Sequence, residues 1–208
     1  MTHGQVHRAI TLEVSGLACG HGDVVLASGL TFSVPGGTAL ALRGANGVGK
    51  STLLLTLAGL LPPLQGSIAL AGYDPEDGPA FHHCGHRNAV RPRLSVLQTL
   101  DFWAAINGRT GLSPTSALDR LGLGAIAGLD AGYLSAGQQR RLALARLLVS
   151  QRPVWLLDEP LAALDAEGQG LVVTLLAEHL DAGGLAVIAT HDDLALKGLV
   201  TLTLGGGA

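Results

Sequence analysis

Gly44-Ala45-Asn46-Gly47-Val48-Gly49-Lys50-Ser51-Thr52 is the stretch on which the fold turns. It fits G-x-x-x-x-G-K-[ST], the pattern of a phosphate-binding loop. Glycines let a backbone curl until successive N–H groups point inward at phosphate oxygens. Lys50 brings a point charge for β and γ phosphates, and Ser51 a hydroxyl for Mg²⁺. Ala39–Arg43, just before the loop, is a short apolar run that reads as a buried strand. Leu53 to Leu61, just after it, reads as a helix stopped by Pro62-Pro63. That helix, expected from about Lys50 to Leu60, aims the positive end of its dipole at the same anion. Strand, glycine loop and helix in this order are the context that the motif requires.

Further out, Thr11–Ser15 and Leu30–Val34 alternate in polarity, and Pro35-Gly36-Gly37 reads as a turn. An antiparallel patch is expected there, with Ser67–Ala71 as another short strand framed by Gly66 and Gly72. From Leu94 to about Leu121 the pattern is helical, with Leu94, Leu97, Leu100 and Trp103 spaced for one face. Gln138 to Val149 reads as an amphipathic helix, Leu142, Ala145, Leu148 and Val149 opposing Arg140 and Arg141. Val154–Asp158 and Leu185–Thr190 are apolar runs typical of buried parallel strands, with a helix expected over Leu171–Leu180 between them. No internal repeat or low-complexity linker is evident, and the tail Gly205-Gly206-Gly207-Ala208 is expected to fray.

At 208 residues a single domain is expected, with room for a substantial core. A net charge of −3 and a pI near 6.2 give no footing for nucleic acid. Cys19 and Cys84 form no C-x-x-C pair and read as reduced structural thiols. The N-terminus carries His3, His7, Arg8 and Glu13 without an apolar stretch, so no signal peptide is expected. No apolar run reaches the roughly 18 residues of a membrane helix. The longest candidate, Leu142 to Val149, is interrupted by Arg146. Charged residues make up 14 % of the chain, against about 25 % in ordinary domains. A surface covered by partners explains this, and so does a plain preference for Ala, Gly and Leu.

Two more motifs bear on chemistry. Val154-Trp155-Leu156-Leu157-Asp158-Glu159-Pro160 is an apolar strand that ends in two acids. A carboxylate at a strand's carboxyl end beside a phosphate loop can hold Mg²⁺, which suits Asp158, and Glu159 can polarise a water for in-line attack. Thr190-His191-Asp192 follows the next apolar strand, which aims His191 at the same γ-phosphate.

With Leu134-Ser135-Ala136-Gly137-Gln138 between them, these motifs resemble in order the Walker A, signature, Walker B, D-loop and switch-histidine motifs of ATP-binding cassette (ABC) ATPases. The D-loop match is Ala163-Leu164-Asp165. The resemblance implies an α/β fold with a RecA-like P-loop NTPase core of the ABC ATPase type. It adds an antiparallel β patch and a helical signature-motif subdomain, roughly residues 87–145, inserted within a single ATP-binding domain over 1–208. It also implies a homodimer, head to tail, that sandwiches ATP between one subunit's Gly44–Thr52 and the other's Leu134–Gln138, with Asp165 linking the two sites. Mg²⁺ would be held by Ser51 and Asp158.

The stretch Cys84–Trp103, then Tyr133–Arg146 and Trp155–Asp165, is similar within that family to the ATPase subunits of haem exporters in cytochrome c maturation. That likeness implies membrane permease partners of the CcmB and CcmC type and a peripheral place on the cytoplasmic face of the inner membrane. His86 stands where most cassettes carry the Q-loop glutamine, and is expected to act with Glu159 and His191 in catalysis. The adenine-stacking aromatic expected upstream of the loop is absent; His21 sits near its place and can stack weakly. His82-His83-Cys84-Gly85-His86 invites a metal or haem reading, but lacks the paired spacing of a four-ligand site. Arg87, Arg91 and Arg93 are candidates for contact with a cytoplasmic helix of a permease. A small ABC exporter with another cargo is the open alternative. A non-transport cassette acting on ribosomes or DNA, or an ATP-operated switch module, fits less well: the chain shows one cassette, no basic patch, and intact Lys50, Glu159 and His191.

Overall fold

A computed structural model describes residues 10–22 and 24–205. Of the N-terminal residues read for a signal peptide, His3, His7 and Arg8 lie outside the described residues, as does the tail beyond Gly205. The chain divides into two compact units, Met1–Gly85 with Pro153–Glu159 and Leu175–Ala208, and His86–Arg152 with Pro160–Thr174.

The first unit holds strands β1 (Thr11–His21), β2 (Val24–Pro35) and β3 (Ala39–Arg43), helix α1 (Lys50–Leu57), and strands β4 (Gln65–Ala71) and β5 (Phe81–Cys84). An antiparallel sheet runs β2-β1-β4. β1 and β2 are longer than the alternating pentads suggest, because register shifts along β1 let the pairing continue past the breaks in alternation. Three later strands enter the same unit: β6 (Val154–Asp158), β7 (Leu185–Ala189) and β8 (Leu199–Thr203). They join β3 and β5 in a parallel sheet of order β5-β6-β7-β3-β8. β6 and β7 are buried at every position, which is why they read as unbroken apolar runs; the edge strand β8 is largely open. Leu53, Leu54 and Leu57 of α1 share one core with Leu12, Val14 and Leu17 of β1 and Leu40, Leu42, Leu156 and Val187 of the parallel sheet. Each such side chain contributes about 1.5–3 kcal/mol of burial.

α1 is shorter than its sequence suggests. It stops at Leu57, and Gly59 turns left-handed at φ 71°. Leu60 N–H donates to Leu55 O at 2.9 Å and Gly59 N–H to Thr56 O at 3.0 Å, so a glycine cap ends the helix before the prolines are reached.

The second unit is helical: α2 (Val96–Asn107), α3 (Pro114–Arg120) and α4 (Ala136–Val149), together with the first part of α5 (Ala166–Asp181). The single helical stretch expected from Leu94 to Leu121 is two helices. A Ser95–Gln98 capping box opens α2, Gly108 at φ 88° closes it, and Ser113 followed by Pro114 starts α3 afresh. Of the face expected on Leu94, Leu97, Leu100 and Trp103, Leu100 is fully buried and the others are half-buried; α2 packs through Val96, Thr99, Leu100 and Ala104. Trp103 instead lies under the Arg146 guanidinium at 4.3 Å, and Phe102 under that of Arg91 at 4.3 Å. Arg140 also departs from expectation. It is 2 % exposed, donating to Pro160 O at 3.4 Å and Asn88 Oδ1 at 3.2 Å, so α4 is buried on the side expected to be polar. α5 begins five residues ahead of the expected Leu171, where Asp165 Oδ1 accepts from Gly168 N–H at 2.8 Å. Among the described residues no helix is long and apolar enough to cross a membrane.

Candidate functional site

In the parallel sheet β6, β7 and β3 are neighbours, so the segments that leave their carboxyl ends converge. β3 runs into the 44–52 loop, β6 into Glu159, and β7 into Thr190 and His191. The loop curls through left-handed glycines, φ 141° at Gly44, 80° at Gly47 and 105° at Gly49. Gly49 is the N-cap of α1 and offers no side-chain cap, which leaves the first amides of the helix for an anion. A Cβ on Gly49 would also meet Leu26 Cβ at 3.0 Å, a tight contact added to the strain of its φ of 105°.

Lys50 is 8 % exposed, and its ammonium donates to Gly44 O at 2.7 Å and Ala45 O at 3.1 Å. Ser51 Oγ–H donates to Asp158 Oδ2 at 2.7 Å. Asp158 is the last residue of β6 and 4 % exposed. A hydroxyl and a carboxylate oxygen side by side are hard donors of the kind Mg²⁺ takes, with water and phosphate filling its remaining positions. The donor set therefore fits the metal.

Glu159 has φ 48°, uncommon for a residue with a side chain, and its N–H donates to Ala189 O at 2.8 Å. This kink sends its carboxylate toward His191, whose Nε2 lies 3.6 Å from Glu159 Oε1, 3.3 Å from Lys50 Nζ and 3.1 Å from Asn46 Oδ1. Thr190 is fully buried and its hydroxyl accepts from Asp192 N–H at 3.0 Å, a local turn that holds the histidine loop. Arg43 at the end of β3 braces that loop from the other side, donating to Asp192 O at 2.5 Å and Asp193 Oδ1 at 3.1 Å. Sequence reasoning gave neither Thr190 nor Arg43 a role. A threonine two residues before an aspartate, and a lone charge closing an apolar strand, were the available signals. His21 is exposed at the end of β1, its Nε2 3.4 Å from Thr52 Oγ1 beside the loop helix.

Within the second unit, Ser135 is the N-cap of α4. Its Oγ accepts from Gln138 N–H at 3.2 Å, while Gln138 Oε1 accepts from Ser135 N–H at 2.9 Å. Leu134 is buried beneath this cap and Ala136 is exposed. A Cβ on Gly137 would meet Ala163 O at 2.8 Å, so the backbones of the 134–138 and 163–165 segments touch closely. His86 is exposed in the turn after β5. His82 and Cys84 are buried on one face of β5 and His83 is half-buried on the other, because successive strand residues point opposite ways. That alternation divides the His-rich run, and among the described residues no group of three His, Cys, Asp or Glu could hold a metal ion.

A parallel sheet whose strand ends present a phosphate loop, a buried Asp, a kinked Glu and a His defines a nucleotide-binding P-loop domain. Residues 27–162 match the family pattern described as ABC transporter. The cytochrome c biogenesis ATP-binding export protein CcmA of Chelativorans sp. is 46 % identical over 199 residues, covering 94 % of this chain and 98 % of its own. The protein of the same description from Rhodopseudomonas palustris is 48 % identical over 187 residues, covering 89 % and 94 %. A solved structure described as an ABC transporter ATP-binding protein, from Pyrococcus furiosus, superposes with a TM-score of 0.81 at 26 % identity, covering 93 % of this chain and 97 % of its own. The chain belongs to the ABC transporter family, with CcmA proteins among its relatives.

Proposed function

We propose that this chain is the ATP-hydrolysing subunit of an ABC exporter complex that powers haem export or handling for c-type cytochrome biogenesis. One observation carries the chemistry: Lys50, Asp158, Glu159 and His191 meet at the carboxyl ends of three neighbouring strands. The likeness to CcmA proteins along nearly the whole chain carries the choice of cargo.

In this reading the loop amides of Gly44 to Thr52 and the Lys50 ammonium bind the phosphates of ATP. Lys50 exchanges the carbonyls of Gly44 and Ala45 for phosphate oxygens. Ser51 and Asp158 would hold Mg²⁺, which would supply neutralisation of phosphate charge. Glu159 accepts a proton from water as its oxygen attacks the γ-phosphorus; the bond to the β–γ bridging oxygen breaks, leaving ADP and phosphate. His191 donates to the γ-phosphate, and His86 takes the part of the Q-loop residue. His21 borders the adenosine.

A second copy presents Ser135, Ala136, Gly137 and Gln138, backed by the buried Leu134, to the same nucleotide, placing the amino end of its α4 at the γ-phosphate. Asp165 lies at the same dimer interface. The chain forms one cassette whose helical part carries the signature segment. It works on the cytoplasmic face of the inner membrane, docked on permease subunits of the CcmB and CcmC type, with Arg87, Arg91 and Arg93 facing a permease helix.

The test is Glu159→Gln in place of the wild type, with holo-cytochrome c and membrane association scored together. Loss of holo-cytochrome c while the variant stays at the membrane with its partners is the expected result. Normal holo-cytochrome c would overturn the haem assignment and leave family membership untouched.

A further inference from the structure

Three polar groups surround His191 Nε2, and they make incompatible demands on it: Asn46 Oδ1 at 3.1 Å, Lys50 Nζ at 3.3 Å and Glu159 Oε1 at 3.6 Å. A ring nitrogen of neutral histidine either carries hydrogen and donates, or carries a lone pair and accepts. An ammonium only donates, so Lys50 favours a lone pair on Nε2. An ionised carboxylate only accepts, so Glu159 favours hydrogen there. The Asn46 amide can present its oxygen or its NH₂ group, and is therefore the neighbour that decides.

Lys50 already donates at 2.7 and 3.1 Å to Gly44 and Ala45 carbonyls, and so has little need of the ring. Were Asn46 turned to present its NH₂, two donors would compete for one lone pair while a carboxylate faced that same lone pair. With hydrogen on Nε2 and the Asn46 oxygen accepting it, the shortest contact is a sound hydrogen bond and Glu159 lies on the favourable side. Lys50 then has its two carbonyls and touches the ring only as a neighbouring charge.

We infer that Asn46 is a positioning residue: its side-chain oxygen overrides Lys50 and holds His191 in the tautomer with hydrogen on Nε2, presetting the ring as a donor. The consequence depends on the reading of His191 as the γ-phosphate contact, since an Nε2 turned acceptor by Lys50 could not donate to an anion. The selection itself is a property of the nucleotide-free chain and is measured there. Asn46 is exposed, so its replacement leaves the core intact.

The experiment is ¹⁵N NMR of ring-labelled histidine in the full chain, without nucleotide, about two pH units above the ordinary histidine value. The His191 signal is assigned among the eight histidines by its loss in His191→Gln. Wild type should show a protonated Nε2. Asn46→Leu should move Nε2 to the unprotonated position, and its ATP turnover should fall about tenfold in kcat with KM within about twofold, the pattern of a lost transition-state contact. Asn46→Asp, which keeps an acceptor oxygen, should retain hydrogen on Nε2. An unprotonated Nε2 in the wild type, or a protonated one in Asn46→Leu, would overturn the inference. Full ATP turnover in His191→Gln would overturn instead the role proposed for His191, whatever the tautomer.

Discussion

Ser51→Ala separates the structural and chemical duties of one hydroxyl. Its Oγ–H donates at 2.7 Å to Oδ2 of Asp158, a carboxylate 4 % exposed at the end of β6. A hydrogen bond to a charged acceptor contributes about 1.5–3 kcal/mol, and here the acceptor stays buried when the donor goes. Without nucleotide or Mg²⁺ the variant should therefore lose about 2 kcal/mol by urea unfolding. For a chain of this length that is roughly 4–8 °C in Tm. Ser51→Thr keeps the hydroxyl and should lose under about 0.5 kcal/mol, within the range of ordinary surface changes. In ATP hydrolysis Ser51→Ala should be the more severe of the two by at least about tenfold, because it also removes the oxygen proposed to hold Mg²⁺. An unfolding midpoint for Ser51→Ala equal to wild type, with the slope unchanged, would refute the reasoning. It would mean that Asp158 is as well satisfied without the serine as with it.

Two further outcomes follow from buried side chains. Thr99 Oγ1 is buried and, among the described residues, has no hydrogen-bond partner. Thr99→Val, which replaces the hydroxyl by a methyl of similar size, should raise stability by about 1 kcal/mol in urea unfolding, and a loss of stability would show that the hydroxyl is bonded. Burial pushes the Cys19 thiol up from its ordinary ionisation, so the folded chain keeps a proton that the unfolded chain releases. The stability this thiol contributes is therefore full below the unfolded value and lost as pH rises through it toward the folded one. Cys19→Ala should flatten the alkaline fall of a stability–pH curve, and an unchanged slope would sink the idea.

What the sequence discloses here is what is local or periodic. The phosphate loop, Asp158-Glu159 and His191 each follow an apolar run long enough to read as a strand, and parallel strands leave their following segments at one end of the sheet. Their convergence could therefore be anticipated before any distance was known. The buried Arg140 could not. Its acceptors, Pro160 O and Asn88 Oδ1, are 20 and 52 positions away, and helical periodicity assigns an arginine to water by default. The face of α2 is only partly legible in the sequence, for a related reason. Counting large apolar residues favours Leu97 and Trp103, whereas the packed face uses Thr99 and Ala104, and the aromatic rings take arginine planes instead. The end of α1 was lost to a glycine, since Gly59 caps a helix that Pro62 was expected to stop. Arg43 and Thr190 brace the His191 loop through contacts that no motif pattern contains.

Glu159 shows how the fold and the chemistry constrain each other. Its φ of 48° costs on the order of 1–3 kcal/mol for a residue with a side chain. Nothing about a strand exit demands that conformation, and the following Pro160 favours extended geometry at this position. The strain persists because Glu159 N–H donates to Ala189 O at 2.8 Å, extending the β6–β7 ladder one step beyond the last strand residues. The ladder fixes the backbone, and the left-handed turn then directs the carboxylate toward Nε2 of His191, leaving the side chain 27 % exposed. An extended residue would send it elsewhere. Glutamine has the same length and the same backbone preferences, so Glu159→Gln inherits both the strain and its compensation. A loss of turnover in that variant therefore reports the proposed proton acceptor and not a relaxed turn, whereas glycine at this position would remove the strain and the acid together and leave the two effects inseparable.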